Sequence, residues 1–479
     1  MKTNMYLLVA CVATLLLGAC TRELIVTTDH PSEPSEEYLG DANVVLTIGG
    51  TQSANSRSVG ADANADYPTQ AVENTVNRLT IGVFYEQAAG DNDGGKTNAI
   101  IEAEIKTSDN ETDITNKVIP ELKVITGADN KTKYATQFIC NAAENATIIA
   151  VANAPAKTFA KVKSLKEFKA RTLALKNISK DVTQKGFVVE DKIVTNQLPM
   201  SGELTEIDLK SGNEVNKPAN ALELSRLVAR VSIDKLKVDF DTRGQYADAT
   251  FKPTKVFLYN AMEYVTVGVG DTVTTTPKRE VTNQEGVKKL ISAATFVHGG
   301  KMIEVDDPDN PGQKILEWEK GDIIEILDDI TETVSWVDGD TDLLTRKYWY
   351  YAFPNGDRKK RTKLVIAGIF DPDGPDANPD NTTPHPGSEP EELVFYPIIV
   401  NKNQPGTTIT NVDNSTPPNT TTPANLTGSI ARNTLYKLSA TIKGKGVDDP
   451  AKDIDPVDLE LTVEVANWVL TVNQDVTFN

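Results

Sequence analysis

The sequence predicts an all-β protein of two β-sandwich domains with short helical insertions, and three observations carry that expectation. Runs rich in β-branched and aromatic residues recur along the chain, several alternating apolar and polar by two, the period of a strand with one face in a core. Breaks rich in polar residues, Gly and Pro separate them. The regular succession of strand and long helix that marks a parallel α/β fold is missing from the pattern.

The elements follow in chain order. Residues 1–20, MKTNMYLLVACVATLLLGAC, open with a lysine, continue through a short apolar stretch and end in Leu-Gly-Ala-Cys, the layout of a secretory signal. The last four residues resemble the bacterial lipobox, which implies that Cys20 becomes the first residue of the mature chain and carries lipid. The Pro, Ser and Glu-rich stretch 21–41 reads as a linker off a membrane surface. In ANVVLTIGG (42–50), Val44, Leu46 and Ile48 fall on one face of a strand. Next comes SANSRSVGADANADYPTQ (53–70), in which Arg57 is the single basic residue among small polar ones; such a segment has little to bury and lies open to a protease.

Strands are expected within 76–86, 146–154, 226–240, 253–265, 347–354, 362–370, 393–400 and 435–446. Two insertions read as helical. One is the capping box Ser164-Leu165-Lys166-Glu167, with Val162, Leu165, Phe168 and Leu175 spaced unevenly around it. The other spans 282–295 with Val287, Leu290 and Ile291. Apolar periodicity lapses at 203–220, which divides the body into domains 58–212 and 213–479 behind the signal (1–20) and a propeptide of linker and strand (21–57). Stretches 306–313, 371–390 and 401–425 read as exposed loops. At the end of the chain Leu459, Leu461, Val463 and Val465 alternate with polar residues; after Ala466-Asn467 a second apolar row, Trp468, Leu470, Val472, Val476 and Phe478, keeps one parity.

Composition excludes several functions. A formal charge of −19, from 68 acids against 49 bases, argues against nucleic acid or an anionic membrane as partner. With no second long apolar segment, the body is expected to be exported and soluble. Once Cys11 leaves with the signal and Cys20 takes lipid, Cys140 in YATQFICNAA has no partner for an intrachain disulfide and reads as a small buried hydrophobe. His30, His298 and His385 have neighbours that suit neither a metal nor a triad, and no phosphate loop, nucleophile elbow or Cys-x-x-Cys pair occurs. Asp338, Asp340 and Asp342 alternate as in a calcium loop but lack its central glycine and distal glutamate, so solvated turn acids account for them. No enzymatic activity, cofactor or metal is expected. Tyr348, Trp349, Tyr350 and Tyr351 are the one cluster that could present aromatics to a glycan, and a buried strand explains them more simply.

Taken in order, the lipobox at Cys20, NRLTIGVF, VANAPA (151–156), LPMSGE (198–203), LSRLVARVSI, FYPIIVN (395–401), RNTLYKLSATIKGKGVDDP (432–450) and the closing tryptophan-containing segment resemble the Bacteroidia-type fimbrillins that build type V pili. The resemblance implies sandwiches of transthyretin-like or immunoglobulin-like type and export as an outer-membrane lipoprotein. It further implies cleavage by an Arg-specific protease, which places the cut after Arg57 and makes Ser58 the new N-terminus. The strand carrying Val44, Leu46 and Ile48 would then leave a groove for the C-terminal strand of a neighbour, with Trp468, Leu470, Val472, Val476 and Phe478. The implied partners are copies of the same chain, anchor and tip subunits, and host or bacterial surface proteins or glycans. Because the chain owns both a removable strand and a donor strand, a stalk subunit is favoured over a tip or accessory adhesin of the same system, or over a surface lipoprotein that binds glycans.

Overall fold

A computed structural model describes residues 39–49, 73–90, 92–105, 120–126, 132–178, 188–189, 192–193, 198–268, 278–282, 288–292, 296–321, 323–331, 342–374, 390–402, 407–412, 420–421, 428–454 and 459–467. The fold is all-β, as the alternating runs predict.

The first sandwich uses β1 (Asp41–Gly49), β2 (Arg78–Phe84), β3 (Thr97–Glu104), β4 (Lys123–Thr126), β5 (Thr132–Asn141), β6 (Ala143–Ala152) and β7 (Met200–Leu209). Three two-residue strands complete it: β8 (Val215–Asn216), β9 (Leu222–Glu223) and β10 (Ser225–Arg226). One sheet runs β8-β1-β5-β4, with β9 also on β1; the other runs β10-β7-β6-β2-β3. Between them lies a core of Val44, Leu46, Ile48, Leu79, Ile81, Phe138, Ile148, Leu209 and Leu222, all buried. Asn98 closes part of the gap between the two sheets by imitating a strand. Its side-chain amide donates to the Asn141 carbonyl at 2.9 Å and accepts from the Asn141 N–H at 2.9 Å.

The second sandwich begins at β11 (Ala229–Val238) and continues with β12 (Thr250–Tyr259), β13 (Gly300–Asp306), β14 (Lys314–Lys320), β15 (Leu327–Asp329) and β16 (Tyr348–Ala352). It ends with β17 (Lys363–Asp371), β18 (Glu392–Ile399), β19 (Thr407–Val412), β20 (Thr420–Thr421), β21 (Thr434–Ile442) and β22 (Leu459–Asn467). Its sheets run β16-β11-β21-β22-β19-β20 and β15-β12-β17-β18. β17, Lys-Leu-Val-Ile-Ala-Gly-Ile-Phe-Asp, reads as a continuous apolar run because it is an inner strand with both faces covered. β13 and β14 form a separate hairpin whose turn is held by Asp307, whose Oδ1 accepts from the N–H groups of Asp309 and Asn310.

The two halves are welded rather than strung together. A larger core runs from Phe84, Phe159 and Phe168 to Val265, Val267, Tyr350 and Leu438. Strand Thr172–Ala174, which follows the short helix of the first half, pairs antiparallel with Tyr264–Thr266 of the second.

Three expectations are corrected. Residues expected as a helix over 282–295 contribute Lys288–Ser292, which pairs antiparallel with Lys278–Thr282. Val287, Leu290 and Ile291 are too few to fix a period, and Val281 and Thr282 supply β-branched residues on the facing side. The loop expected at 401–425 contains β19, whose sequence Thr-Thr-Ile-Thr-Asn-Val carries the β-branched content that its Thr-rich surroundings hide; it pairs parallel with β22. The helix at the capping box is real but is a single turn, α1 (Leu165–Lys169). Ser164 Oγ accepts from the Glu167 N–H at 3.2 Å, and the Glu167 carboxylate accepts from Lys163 N–H at 2.8 Å, one residue earlier than the usual reciprocal bond.

Candidate functional site

β1 occupies a slot bonded on both sides. It runs antiparallel to β5 from Asp41↔Asn141 to Ile48↔Tyr134, parallel to β8 at Asn43↔Val215 and Val44↔Asn216, and parallel to β9 at Ile48↔Leu222 and Gly49↔Glu223. Alternation turns Ala42, Val44, Leu46 and Ile48 inward, and each is wholly shielded from solvent. Burying the Val, Leu and Ile side chains contributes roughly 5–9 kcal/mol, an upper figure because unfolded chains are partly compact. On the other face Asn43 Oδ1 accepts from Gln137 Nε2 at 2.9 Å, and the Asn43 carbonyl accepts from Asn216 Nδ2 at 3.2 Å. Asn216 is itself fixed by paired bonds to the Lys210 backbone at 2.8 Å each. Each large inward residue of β1 thus has a cross-strand seat on β5, Val44 against Phe138, Leu46 against Thr136 and Ile48 against Tyr134.

The chain that follows is fastened differently. Residues 73–78 are held by buried polar contacts rather than by strand pairing alone. Glu73 is 1% exposed; its Oε1 accepts from Arg230 Nη1 at 3.0 Å and from the Tyr351 hydroxyl at 2.8 Å, and its carbonyl accepts from Arg226 Nε at 3.3 Å. Arg226 also donates to Asn433 Oδ1 at 3.1 Å. Burial lowers the Arg226 guanidinium to about 10, with Glu73 pulling the other way. Next to this cluster, Asn153 is fully buried at a φ of 59°, with its Oδ1 taking the Asn77 N–H at 3.0 Å and its Nδ2 donating to the Thr75 and Leu198 carbonyls at 2.8 and 2.9 Å. The Val76 N–H donates to the Tyr134 hydroxyl at 3.0 Å. Tyr134 therefore stands between the two regions, its backbone facing Ile48 of β1 and its hydroxyl holding the start of the body.

A short relay links them a second time. Leu222 in β9 pairs with Ile48, and four residues later Arg226 grips Glu73. β9 passes so close over β7 that a Cβ on Gly202 would lie 1.9 Å from the Glu223 carbonyl oxygen, which only a glycine tolerates.

Of the residues singled out in the sequence, Val44, Leu46 and Ile48 lie in β1 as described. Cys20, Arg57, Ser58, Trp468, Leu470, Val472, Val476 and Phe478 lie outside the described residues, as do His30, His385, Asp338 and Asp340. Asp342 is a structural acceptor, taking the N–H groups of Leu236 and Leu344 at 3.0 and 3.1 Å. Cys140 is buried, and burial pushes its thiol up to about 12. His298 stacks on Tyr259 and accepts from the Asn260 N–H; burial, with Lys301 and Lys360 nearby, lowers it to about 4. Tyr348, Trp349, Tyr350 and Tyr351 are all buried, so they offer a glycan no platform. Among the described residues no group of three or more His, Cys, Asp or Glu side chains is placed to hold a metal ion. Sequence reasoning missed the Glu73 cluster. A lone glutamate in AVENTVN carries no signal, but Arg226 and Arg230, two arginines of one parity inside an apolar strand run, did mark a buried acid to be found.

Residues 42–226 match the family model described as major fimbrial subunit protein (FimA). The matched stretch opens on the second residue of β1 and closes on Arg226. A search of curated proteins returns no match. Among solved structures, a candidate cell adhesion protein from Parabacteroides distasonis aligns with a TM-score of 0.51 at 15% identity, covering 90% of this chain and 99% of that one. A fimbrilin from Porphyromonas gingivalis aligns at 0.49 with 18% identity, over 90% and 99% of the two chains. A candidate cell adhesion protein from Bacteroides eggerthii aligns at 0.48 with 16% identity, over 90% and 98%. The first of these shares the fold.

Proposed function

We propose, from the match of residues 42–226 to the major fimbrial subunit model, that the protein is a member of that family and a stalk subunit of a cell-surface fimbrium polymerised by strand exchange. It is exported as a lipoprotein on Cys20 and cut after Arg57 by an Arg-specific protease, so that Ser58 begins the assembled subunit and the two sandwiches form its body; because β8, β9 and β10 pair with β1 and β7, the expected boundary at 212/213 moves to the stretch between Arg226 and Ala229. The C-terminal row with Trp468, Leu470, Val472, Val476 and Phe478 of one copy then fills the slot vacated by Val44, Leu46 and Ile48 of the next. Anchor and tip subunits complete the fibre, and adhesion to host or bacterial surface proteins or glycans is its use.

The observation that carries this reading is the placement of β1, an inner strand of its sheet whose C-terminal continuation includes the arginine-bearing polar segment 53–70. Withdrawing an inner strand leaves an apolar trough with unpaired backbone groups on β5 along one side and on β8 and β9 along the other, the edge chemistry that recruits another strand. Five large apolar side chains contribute on the order of 8–15 kcal/mol before association costs. While β1 is in place the slot is full, so the cut at Arg57 acts as a safety catch. A head-to-tail exchange of this type is heterologous and open-ended, which gives fibres rather than rings.

Two variants test it. Arg57→Ala is expected to leave the subunit uncut and monomeric on the cell surface. Deleting residues 469–479 is expected to permit the cut, exposing Ser58 on N-terminal sequencing, while abolishing polymer. Fibres built from either variant would overturn the reading.

A further inference from the structure

The second sandwich carries a basic loop whose shape is fixed by polar side chains. Residues 353–362 connect β16 in one sheet to β17 in the other and read Phe-Pro-Asn-Gly-Asp-Arg-Lys-Lys-Arg-Thr. Arg358, Lys359, Lys360 and Arg361 are the longest run of consecutive bases in a chain whose formal charge is −19. A charge run that is merely solvated needs no bracing. This one is braced from beneath. Asn355 and Thr362 are buried under it, and Asn355 exchanges two backbone hydrogen bonds with Ile430. Asn355 Oδ1 accepts from the Asp357 N–H at 2.9 Å, while its Nδ2 donates to the Lys360 carbonyl at 2.8 Å and to Thr362 Oγ1 at 3.0 Å.

The loop's one acid faces its own backbone. Asp357 Oδ1 accepts from the N–H groups of Lys359 and Lys360 at 2.7 and 3.0 Å, so it shapes the turn rather than pairing with a basic head. Among the described residues no ion pair engages Arg358, Lys359, Lys360 or Arg361. The first three are exposed, and the Lys360 ammonium stands 5.2 Å from the centre of the Phe296 ring. Arg361 is half-buried, its stem so close to Gly428 that a Cβ there would lie 2.7 Å from Cδ, and its shielded Nε has no acceptor among the described residues. The result is a compact positive site, held in one shape, on an acidic protein.

The partner follows from that contrast. Clusters of Lys and Arg attract nucleic acids and heparin-like polymers. A duplex or a bilayer presents negative charge over a wide area and would meet the acidic remainder of the molecule as well as the loop. A flexible sulfated saccharide can meet the loop alone, and sulfate, like phosphate, offers paired oxygens to the guanidinium fork. Within the adhesion reading above, on which its use rests, we propose that the loop Arg358–Arg361 binds sulfated polysaccharide. Arg358, Lys359 and Lys360 contact the sulfate groups, and Asn355 and Asp357 hold the backbone that presents them.

The test is titration of the full chain with a heparin octasaccharide, at low and at physiological salt. Binding is expected in both and is weaker at the higher salt, where exposed charges are screened. Arg358→Gln, Lys359→Gln and Lys360→Gln combined should weaken it about tenfold, and each alone about two- to threefold, with circular dichroism unchanged. Lys161→Gln, Lys163→Gln and Lys210→Gln combined make the same change of charge on exposed lysines of the first half and should leave the affinity as it was. Equal affinity of the loop variant and the unsubstituted protein, or no binding by the unsubstituted protein, overturns the proposal. Hyaluronan, which has carboxylates without sulfate, or polyglutamate binding as tightly as the octasaccharide overturns it too, the second by making the partner an acidic peptide. Electron microscopy of protease-treated protein reads the stalk proposal separately: absence of fibres from the unsubstituted chain overturns that reading and leaves the glycan result standing.

Discussion

Glu73 sits between Arg230, Tyr351 and the Nε of Arg226, and these partners come from strands more than a hundred residues away in sequence. A buried guanidinium is tolerable only while its counter-charge is present. Glu73→Ala would leave Arg226 and Arg230 facing each other in a dry site, and is expected to cost about 3–5 kcal/mol of stability. Glu73→Gln keeps the shape and part of the hydrogen bonding, so its cost should be smaller. Urea unfolding of the two variants checks both; equal midpoints for Glu73→Ala and the unsubstituted protein would contradict the account. At this scale the sequence was partly legible. Cys140 reads correctly as a small hydrophobe because its neighbours alternate. Asn153 stands inside a recognisable VANAPA run, yet its role of tying Thr75, Asn77 and Leu198 together depends on contacts that no local pattern encodes.

Strands were the legible elements wherever the run was apolar and unbroken. The expectations at 76–86, 362–370 and 393–400 correspond to β2, β17 and β18, because residues in inner or well-covered strands must be β-branched or aromatic over their whole length. β7 was hidden by its own irregularity. Its register shifts between Leu204 and Ile207, with Glu206 at a φ of 59°, so the alternation breaks in the middle of a continuous strand and reads as a lapse. The parallel partners of β1 were hidden by brevity, since β8 and β9 are two residues each and lie among Asn, Lys and Pro. Their position follows instead from the crossing at Gly202. Gly202→Ala is expected to push β9 off β7, lowering stability by about 2–3 kcal/mol. The same change should speed amide hydrogen exchange at Ile48 and Gly49 more than at Ala42. Uniform exchange along β1 would show that β9 is not held by that contact.

For the whole molecule, the shared core and the pairing of Thr172–Ala174 with Tyr264–Thr266 join the two sandwiches, and they are expected to unfold as one cooperative unit. The four tryptophans, Trp318, Trp336, Trp349 and Trp468, all belong to the second half, so their fluorescence reports on that half while far-ultraviolet circular dichroism reports on both. The two signals are expected to change together in urea. Glu73→Ala, by loosening the junction, should pull the transitions apart; separate transitions in the unsubstituted protein would refute the coupling. Charge and composition made the broad class readable from sequence, but the weld between the halves was not, because it is made by short strands and single side chains far apart along the chain.

The relay from β9 to Arg226 reaches across the junction. The strand in the slot is paired with β5 along eight residues and with β9 at Leu222, four residues before the Arg226 guanidinium that holds the Glu73 carbonyl, while Arg230 of β11 holds the Glu73 carboxylate. Whatever strand fills the slot is therefore joined, through β9 and the Glu73 cluster, to the first strand of the second sandwich, so the state of the slot is felt in both halves.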